Sequence, residues 1–229
     1  MSTKKCVTKR KNVVLGVVLG VLSIVCAGVL VMVLIFNQLT YLPQKDLLPH
    51  EAPEVFEKLF HEADAILQSY GIDKQFELYE DDAIISSDST YIISKSVDLD
   101  NGYQLSVTFY SRDWQHPSIM LSLKTPFSDN RAESIIKPED HPYFYELATH
   151  FGCKKYTTEQ RIKVSNKVIN RAMDEIEDER SDAHYTSGLK CLFTEIVTVS
   201  FDAYAFKRQS DAVPYEYNGR LVIQDYLYL

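Results

Sequence analysis

Residues 91–109 read YIISKSVDLDNGYQLSVTF, and the parity of this stretch decides the fold. Tyr91, Ile93, Val97 and Leu99 alternate with polar residues, and Tyr103, Leu105, Val107 and Phe109 do the same. A period of two is the signature of a strand with one face in a core. Asp100-Asn101-Gly102 separates the two runs. A two-residue Asn-Gly turn would set Leu99 opposite Gln104 and put the apolar rows on opposite faces. A three-residue loop sets Leu99 opposite Tyr103 and Val97 opposite Leu105, so both rows share one face. It also puts Gly102 where a type I turn followed by a bulge needs a left-handed residue. The longer loop is therefore expected.

Outward from this hairpin, Ile119, Leu121 and Leu123 continue the period in a further strand. Upstream, Phe56, Leu59, Ala63, Ile66, Leu67 and Tyr70 follow helical spacing, with Pro53 in the first turn and Gly71 as the stop. Downstream, Thr125 to Asp140 is polar with two prolines and reads as a loop. His141 to Phe151 reads as a short helix ending at Gly152. Thr157 with Gln160 forms a capping-box pattern before a second long helix, whose stripe is Ile162, Val168, Ile169, Ala172, Met173 and Ile176. Leu192 to Phe206 reads as a long strand, and Leu221 to Tyr228 as a last one after a loop around Pro214 and Gly219. The fold class expected is α+β: a mainly antiparallel sheet packed against two amphipathic helices. A cystatin-like layout, a curved sheet gripping a helix, is one such arrangement.

Further out still, Val13 to Phe36 carries no charged side chain. At 1.5 Å per residue this run would extend roughly 36 Å, enough to cross a hydrocarbon core about 30 Å thick. Cleavage after Ala27 in a signal-peptide reading would leave a greasy new N-terminus, Gly28 to Phe36, so an uncleaved anchor is expected. Lys4, Lys5, Lys9, Arg10 and Lys11 precede the run, and the flank after it is acidic. The positive-inside rule then places the N-terminus in the cytoplasm and the rest of the chain outside. The organisation expected is a basic tail (1–12), a membrane helix (13–36), a stalk (37–50) and one extracytoplasmic domain (51–229). Gly16, Gly20, Ser23 and Ala27 share one helix face, and Gly16 to Gly20 has the spacing that lets two helix backbones approach.

Charge narrows the function. The chain has 24 basic and 32 acidic residues, a formal net charge of −8. Without the five basic residues of the tail the balance is about −13, which opposes nucleic acid and anionic lipid as partners. Cys153 and Cys191 fall in the outer domain, where a disulfide is open to them. The histidines, His50, His61, His116, His141, His150 and His184, lack the spacing of a helical zinc site. No nucleophile elbow or phosphate-cradling loop occurs. No catalytic residue, metal or cofactor is assigned. Asp98 to Gly102 departs from a calcium loop, with its glycine at the fifth position and no distal glutamate.

Trp114, Tyr215 and Tyr217 are read as loop aromatics able to form a contact surface. Together these features predict a non-enzymatic, single-pass anchored protein whose outer domain binds or scaffolds another envelope or surface component. Its layout resembles that of bitopic accessory subunits of bacterial envelope machines. Its partners would be the membrane, a protein and a second copy of itself through the anchor. The competing expectation is an anchored extracytoplasmic hydrolase, built on a histidine or carboxylate cluster assembled by the fold.

Overall fold

A computed structural model describes residues 18–35, 46–79, 84–175, 182–191, 194–207 and 215–229. The chain divides into two compact units, Met1–Leu42 and Pro43–Leu229. In the first, Val18–Ile35 is a helix (α1) of 18 residues, long and apolar enough to cross a membrane. The second unit is α+β. Its helices are α2 (Ala52–Ser69), α3 (Pro142–Phe151) and α4 (Thr158–Glu175). Its strands are β1 (Ile84–Ser87), β2 (Thr90–Asp98), β3 (Gln104–Arg112), β4 (Ser118–Lys124), β5 (Ala183–Cys191), β6 (Thr194–Lys207) and β7 (Tyr215–Tyr226).

The seven strands form one antiparallel sheet in the order β1-β2-β3-β4-β7-β6-β5. The hairpin register is the one its parity demands. Val97 pairs with Leu105, the Leu99 amide donates to the Tyr103 carbonyl at 2.8 Å, and Gly102 has φ +80°.

The inner face carries Val97, Leu105, Leu123, Leu221 and Phe201 in one cross-strand row, and Val107, Leu121, Ile223 and Val199 in the next. All are buried. The helices cover this face. Phe109 stacks on Phe56 of α2 at 5.2 Å and meets Phe60 edge-on at 4.9 Å and Phe151 of α3 at 5.7 Å. Lys95, the one cation in these inner rows, reaches Glu57 of α2 at 2.8 Å and lies over the Phe60 ring.

The helix ends follow local chemistry. Thr157 and Gln160 close the capping box: the Thr157 amide donates to Gln160 Oε1 at 2.9 Å and the Gln160 amide to Thr157 Oγ1 at 3.3 Å. Pro53 stands in the first turn of α2, and Gly71, with φ +76°, follows its end. Residues read as stalk dock on the sheet: Leu47 is buried, and its carbonyl accepts from Ser111 Oγ at 2.6 Å.

Three elements differ from the sequence expectation. β1 carries no apolar alternation, and β5, where Ala183, Tyr185 and Leu189 alternate with His184, Thr186, Gly188 and Lys190, is a strand the sequence reading does not include. β7 begins at Tyr215 instead of Leu221, because Tyr217, Asn218 and Gly219 pair with Ala205, Tyr204 and Ala203 of β6. Gly219 allows this: a Cβ there would stand 2.0 Å from the Ser134 carbonyl oxygen. Leu192, Phe193, Pro214, Ile176 and most of the acidic run after Asp174 lie outside the described residues.

Candidate functional site

Three rows of the face opposite the helices are mostly polar. One row runs Asp98, Gln104, Lys124, Arg220, Asp202, His184 across β2, β3, β4, β7, β6 and β5. The next runs Ser96, Ser106, Ser122, Val222, Ser200, Thr186, and the third Ser94, Thr108, Met120, Gln224, Thr198, Gly188. The hydroxyls bond to one another across strands: Ser96 Oγ to Ser106 Oγ at 2.9 Å, and Thr108 Oγ1 to Ser94 Oγ at 3.1 Å. A fully solvated face is usually spread with long charged side chains. Here short hydroxyls form the floor, and Ser96, Thr108 and Ser122 are buried.

Two hollows open on this face. A central one of about 590 Å³ is walled by hydroxyls of β2, β3 and β4 and by Met120, Gln104, Lys124, Arg220 and Tyr79. The second, of about 620 Å³, lies where Ser118, Tyr226, Gln224 and Thr198 meet the β3–β4 turn. Trp114 and His116 form its rim, and His116 Nδ1 pairs with Asp46 at 2.9 Å.

Trp114 is fully exposed and has φ +62°. A bulky residue in the left-handed region is strained by about 1 kcal/mol or more, since its Cβ crowds the following carbonyl. The structure therefore presents a large apolar ring to solvent from a strained turn, which is the placement expected of a contact aromatic. The other two loop aromatics fare differently. Tyr217 is a buried residue of β7, its amide donating to the Ser128 carbonyl at 2.8 Å. Pairing with Ala205 draws it into the sheet. Tyr215 opens β7, and its side chain lies outside the described residues.

The remaining sequence candidates lie apart from this face. Gly20, Ser23 and Ala27 are exposed on α1, and Ser23 Oγ donates to the Leu19 carbonyl at 2.9 Å. Gly16 lies outside the described residues. Cys153 is buried with its thiol free; Cys191 sits in β5, and its side chain lies outside the described residues. Sequestration in the core beneath α4 accounts for Cys153, which behaves there as a small apolar side chain.

Beside Cys153 lies a buried ion pair that the sequence did not announce. Arg161 of α4 and Asp225 of β7 meet at 2.7 Å with essentially no exposure. Asp225 Oδ2 also accepts from the Cys153 amide at 2.9 Å, and Arg161 donates to the carbonyls of Cys153 and Tyr156. Burial pushes the Asp225 carboxyl up to about 6, although Arg161 and the Cys153 amide both favour its charged form. This pair ties α4 to the sheet; it is enclosed and offers a substrate no approach.

The histidines do not converge. His116 pairs with Asp46, His150 with Glu62, and His184 with Asp202, at three separate surface positions. His141 is buried against the Tyr103 ring at 4.5 Å, with Nδ1 2.7 Å from the Tyr143 hydroxyl, and burial lowers its pKa. Among the described residues no group of three or more His, Cys, Asp or Glu could hold a metal ion. One array has the order of a hydrolytic relay. Asp202 Oδ1 contacts His184 Nδ1, and His184 Nε2 lies 3.1 Å from Thr186 Oγ1. It spans the edge strand β5 and its neighbour β6, outside both hollows.

Compared with protein-family models, with curated proteins and with solved structures, the chain returns no match.

Proposed function

We propose that this is a single-pass anchored protein, N-terminus inside, whose extracytoplasmic domain binds another surface component through the sheet face opposite its helices, without catalysing a reaction. The observation that carries the reading is the hydroxyl-floored face itself, with two hollows and a fully exposed, strained Trp114 at its end. Convergent polar groups in a preformed depression are what a recognition surface offers. The apolar helix α1 and the basic residues before it support the anchor and its direction. Gly16 and Gly20 would bring two copies together within the membrane.

A photo-crosslinking residue placed at Trp114 or Gln104, with Glu159 of α4 as the control position, tests the reading in intact cells. Crosslinks at the first two positions and none at Glu159 are expected. Crosslinks at Glu159 alone would overturn it. Protease added outside intact cells should digest the domain; full protection would reverse the orientation.

A second reading, an anchored hydrolase, has the Asp202–His184–Thr186 array in its favour. Replacing Thr186 with alanine should abolish ester hydrolysis if that reading holds, and leave a background rate unchanged if the binding reading holds.

A further inference from the structure

The central hollow has a charge arrangement that calls for a ligand. Lys124 and Arg220 are directly opposed on β4 and β7. Like charges facing each other across neighbouring strands repel. Asp202 stands directly opposite Arg220 on β6 and offsets part of its charge, whereas Lys124 faces the neutral Gln104 on its other side. Asp98 accepts from Gln104 Nε2 at 3.1 Å, and Asp202 is engaged by His184. Among the described residues neither Lys124 nor Arg220 joins an ion pair. Arg220 donates Nε to Ser122 Oγ at 2.7 Å, which holds its guanidinium toward β4. The Lys124 ammonium lies 5.2 Å from the Phe127 ring, a contact that leaves its charge in place. Two cations that join no ion pair among the described residues thus share a wall of a hollow of about 590 Å³ in a domain that is otherwise strongly acidic.

We propose that this hollow binds an anionic saccharide, with the carboxylate or sulfate of the sugar between Lys124 and Arg220. A lone oxyanion would use only the cation pair. The floor beyond it, Ser96, Ser106 and Ser122 with the Gln104 amide, offers donors and acceptors together, which is the complement of a sugar's hydroxyls. Tyr79 brings an aromatic ring to the same hollow. The volume lies in the range of sites that enclose a small organic ligand. A guanidinium held by its Nε keeps its outer edge for a carboxylate or sulfate, in the paired geometry these groups favour. The inference rests on the reading of this face as the binding surface and names what the face takes.

The test uses the full chain in a neutral polyoxyethylene detergent, because a maltoside would present sugar of its own. Calorimetric titrations at low salt compare tetragalacturonate, a heparin-derived tetrasaccharide, maltotetraose and inorganic phosphate. At least one anionic tetrasaccharide should bind about tenfold more tightly than maltotetraose or phosphate, as a charged hydrogen bond implies, and added salt should weaken it. Lys124→Gln and Arg220→Gln should each lose about tenfold in that affinity. Without ligand, Lys124→Gln should melt at or above the wild-type temperature, since it removes a repulsion.

Equal binding of maltotetraose or phosphate would overturn the proposal. So would failure of both anionic probes, unaltered affinity in the two variants, or a lower melting temperature of Lys124→Gln, which would make that lysine structural. Crosslinking at Gln104 without saccharide binding would overturn this inference and leave the binding face standing; absence of both would remove the two together.

Discussion

Replacing Arg161 with methionine should destabilise the domain by an amount that depends on pH. Arg161 is completely buried, and its Nη2 lies 2.7 Å from Asp225 Oδ2. Methionine has a similar stem and no charge, so the variant leaves a carboxyl without its cation. Breaking a buried pair from one side costs about 3–5 kcal/mol, most of it the penalty of the abandoned charge.

That penalty vanishes when the carboxyl takes up a proton. In the wild type Asp225 is already raised to about 6 by burial. A folded pKa above the unfolded one means that the native state binds more protons between the two values. Stability from this group is therefore greatest at low pH and declines as pH rises through 6, by about 1.4 kcal/mol for every pH unit that separates the folded pKa from the unfolded one. Without Arg161 the folded pKa climbs further, so the variant keeps declining after the wild type has levelled off. The expected loss is about 3–5 kcal/mol at pH 8. At pH 5 it shrinks to about 1–2 kcal/mol, the worth of the guanidinium's hydrogen bonds. Adding Asp225→Asn, which keeps an acceptor for the Cys153 amide, should flatten the pH dependence. Urea unfolding followed by far-UV circular dichroism at the two pH values measures this. Fluorescence would not serve, because the one tryptophan, Trp114, is fully exposed. Equal losses at pH 5 and pH 8, or a double variant no flatter than the single one, would refute the reasoning.

Three further outcomes follow from local geometry. Gly219→Ala should cost about 1–3 kcal/mol or more in a thermal melt, because its Cβ would stand 2.0 Å from the Ser134 carbonyl oxygen and backbone must move to admit it; a change within experimental noise would show that the 131–134 turn yields freely. Burial lowers the pKa of His141, so the unfolded chain binds its proton more readily; stability from this group is present above its unfolded value near 6.5 and falls as pH drops toward the folded pKa. A His141→Phe variant should show a shallower loss of stability on acidification, and an unaltered slope would place the titration elsewhere. Trp114→Gly should gain about 1 kcal/mol by relieving the positive φ while weakening crosslinking from a photo-reactive residue at Gln104; a destabilised variant would mean the ring packs against something in the protein.

What could be read from the chain follows from which forces are local. The β2–β3 register was legible because a turn of known geometry, Gly102 and two apolar rows all demand the same pairing. The capping box was legible for a similar reason: Thr157 and Gln160 satisfy each other's backbone within one turn. β1 escaped because Ile84-Ile85-Ser86-Ser87 is an edge strand exposed throughout, so no alternation marks it. β5 escaped although Ala183, Tyr185 and Leu189 alternate with polar residues, because Ser187 interrupts the apolar row. The start of β7 was misread because Gly219 looks like a loop residue, whereas only a glycine fits beneath Ser134.

The candidate site shows a different limit. Lys124 and Arg220 lie in separate strands that become neighbours only when β7 inserts between β4 and β6. No spacing rule links them, and the same is true of Arg161 and Asp225. One signal was nevertheless present. The outward positions of β2 and β3, Ser94, Ser96, Ser106 and Thr108, hold hydroxyls where a merely solvated face would hold lysines and glutamates. Short side chains on an outward face leave room above the sheet, and a chain gains nothing in solubility by making that choice. The hollow therefore reflects the alternation that built the core: its inward half-period supplied stability, and its outward half-period left a floor of hydroxyls beside Lys124 and Arg220.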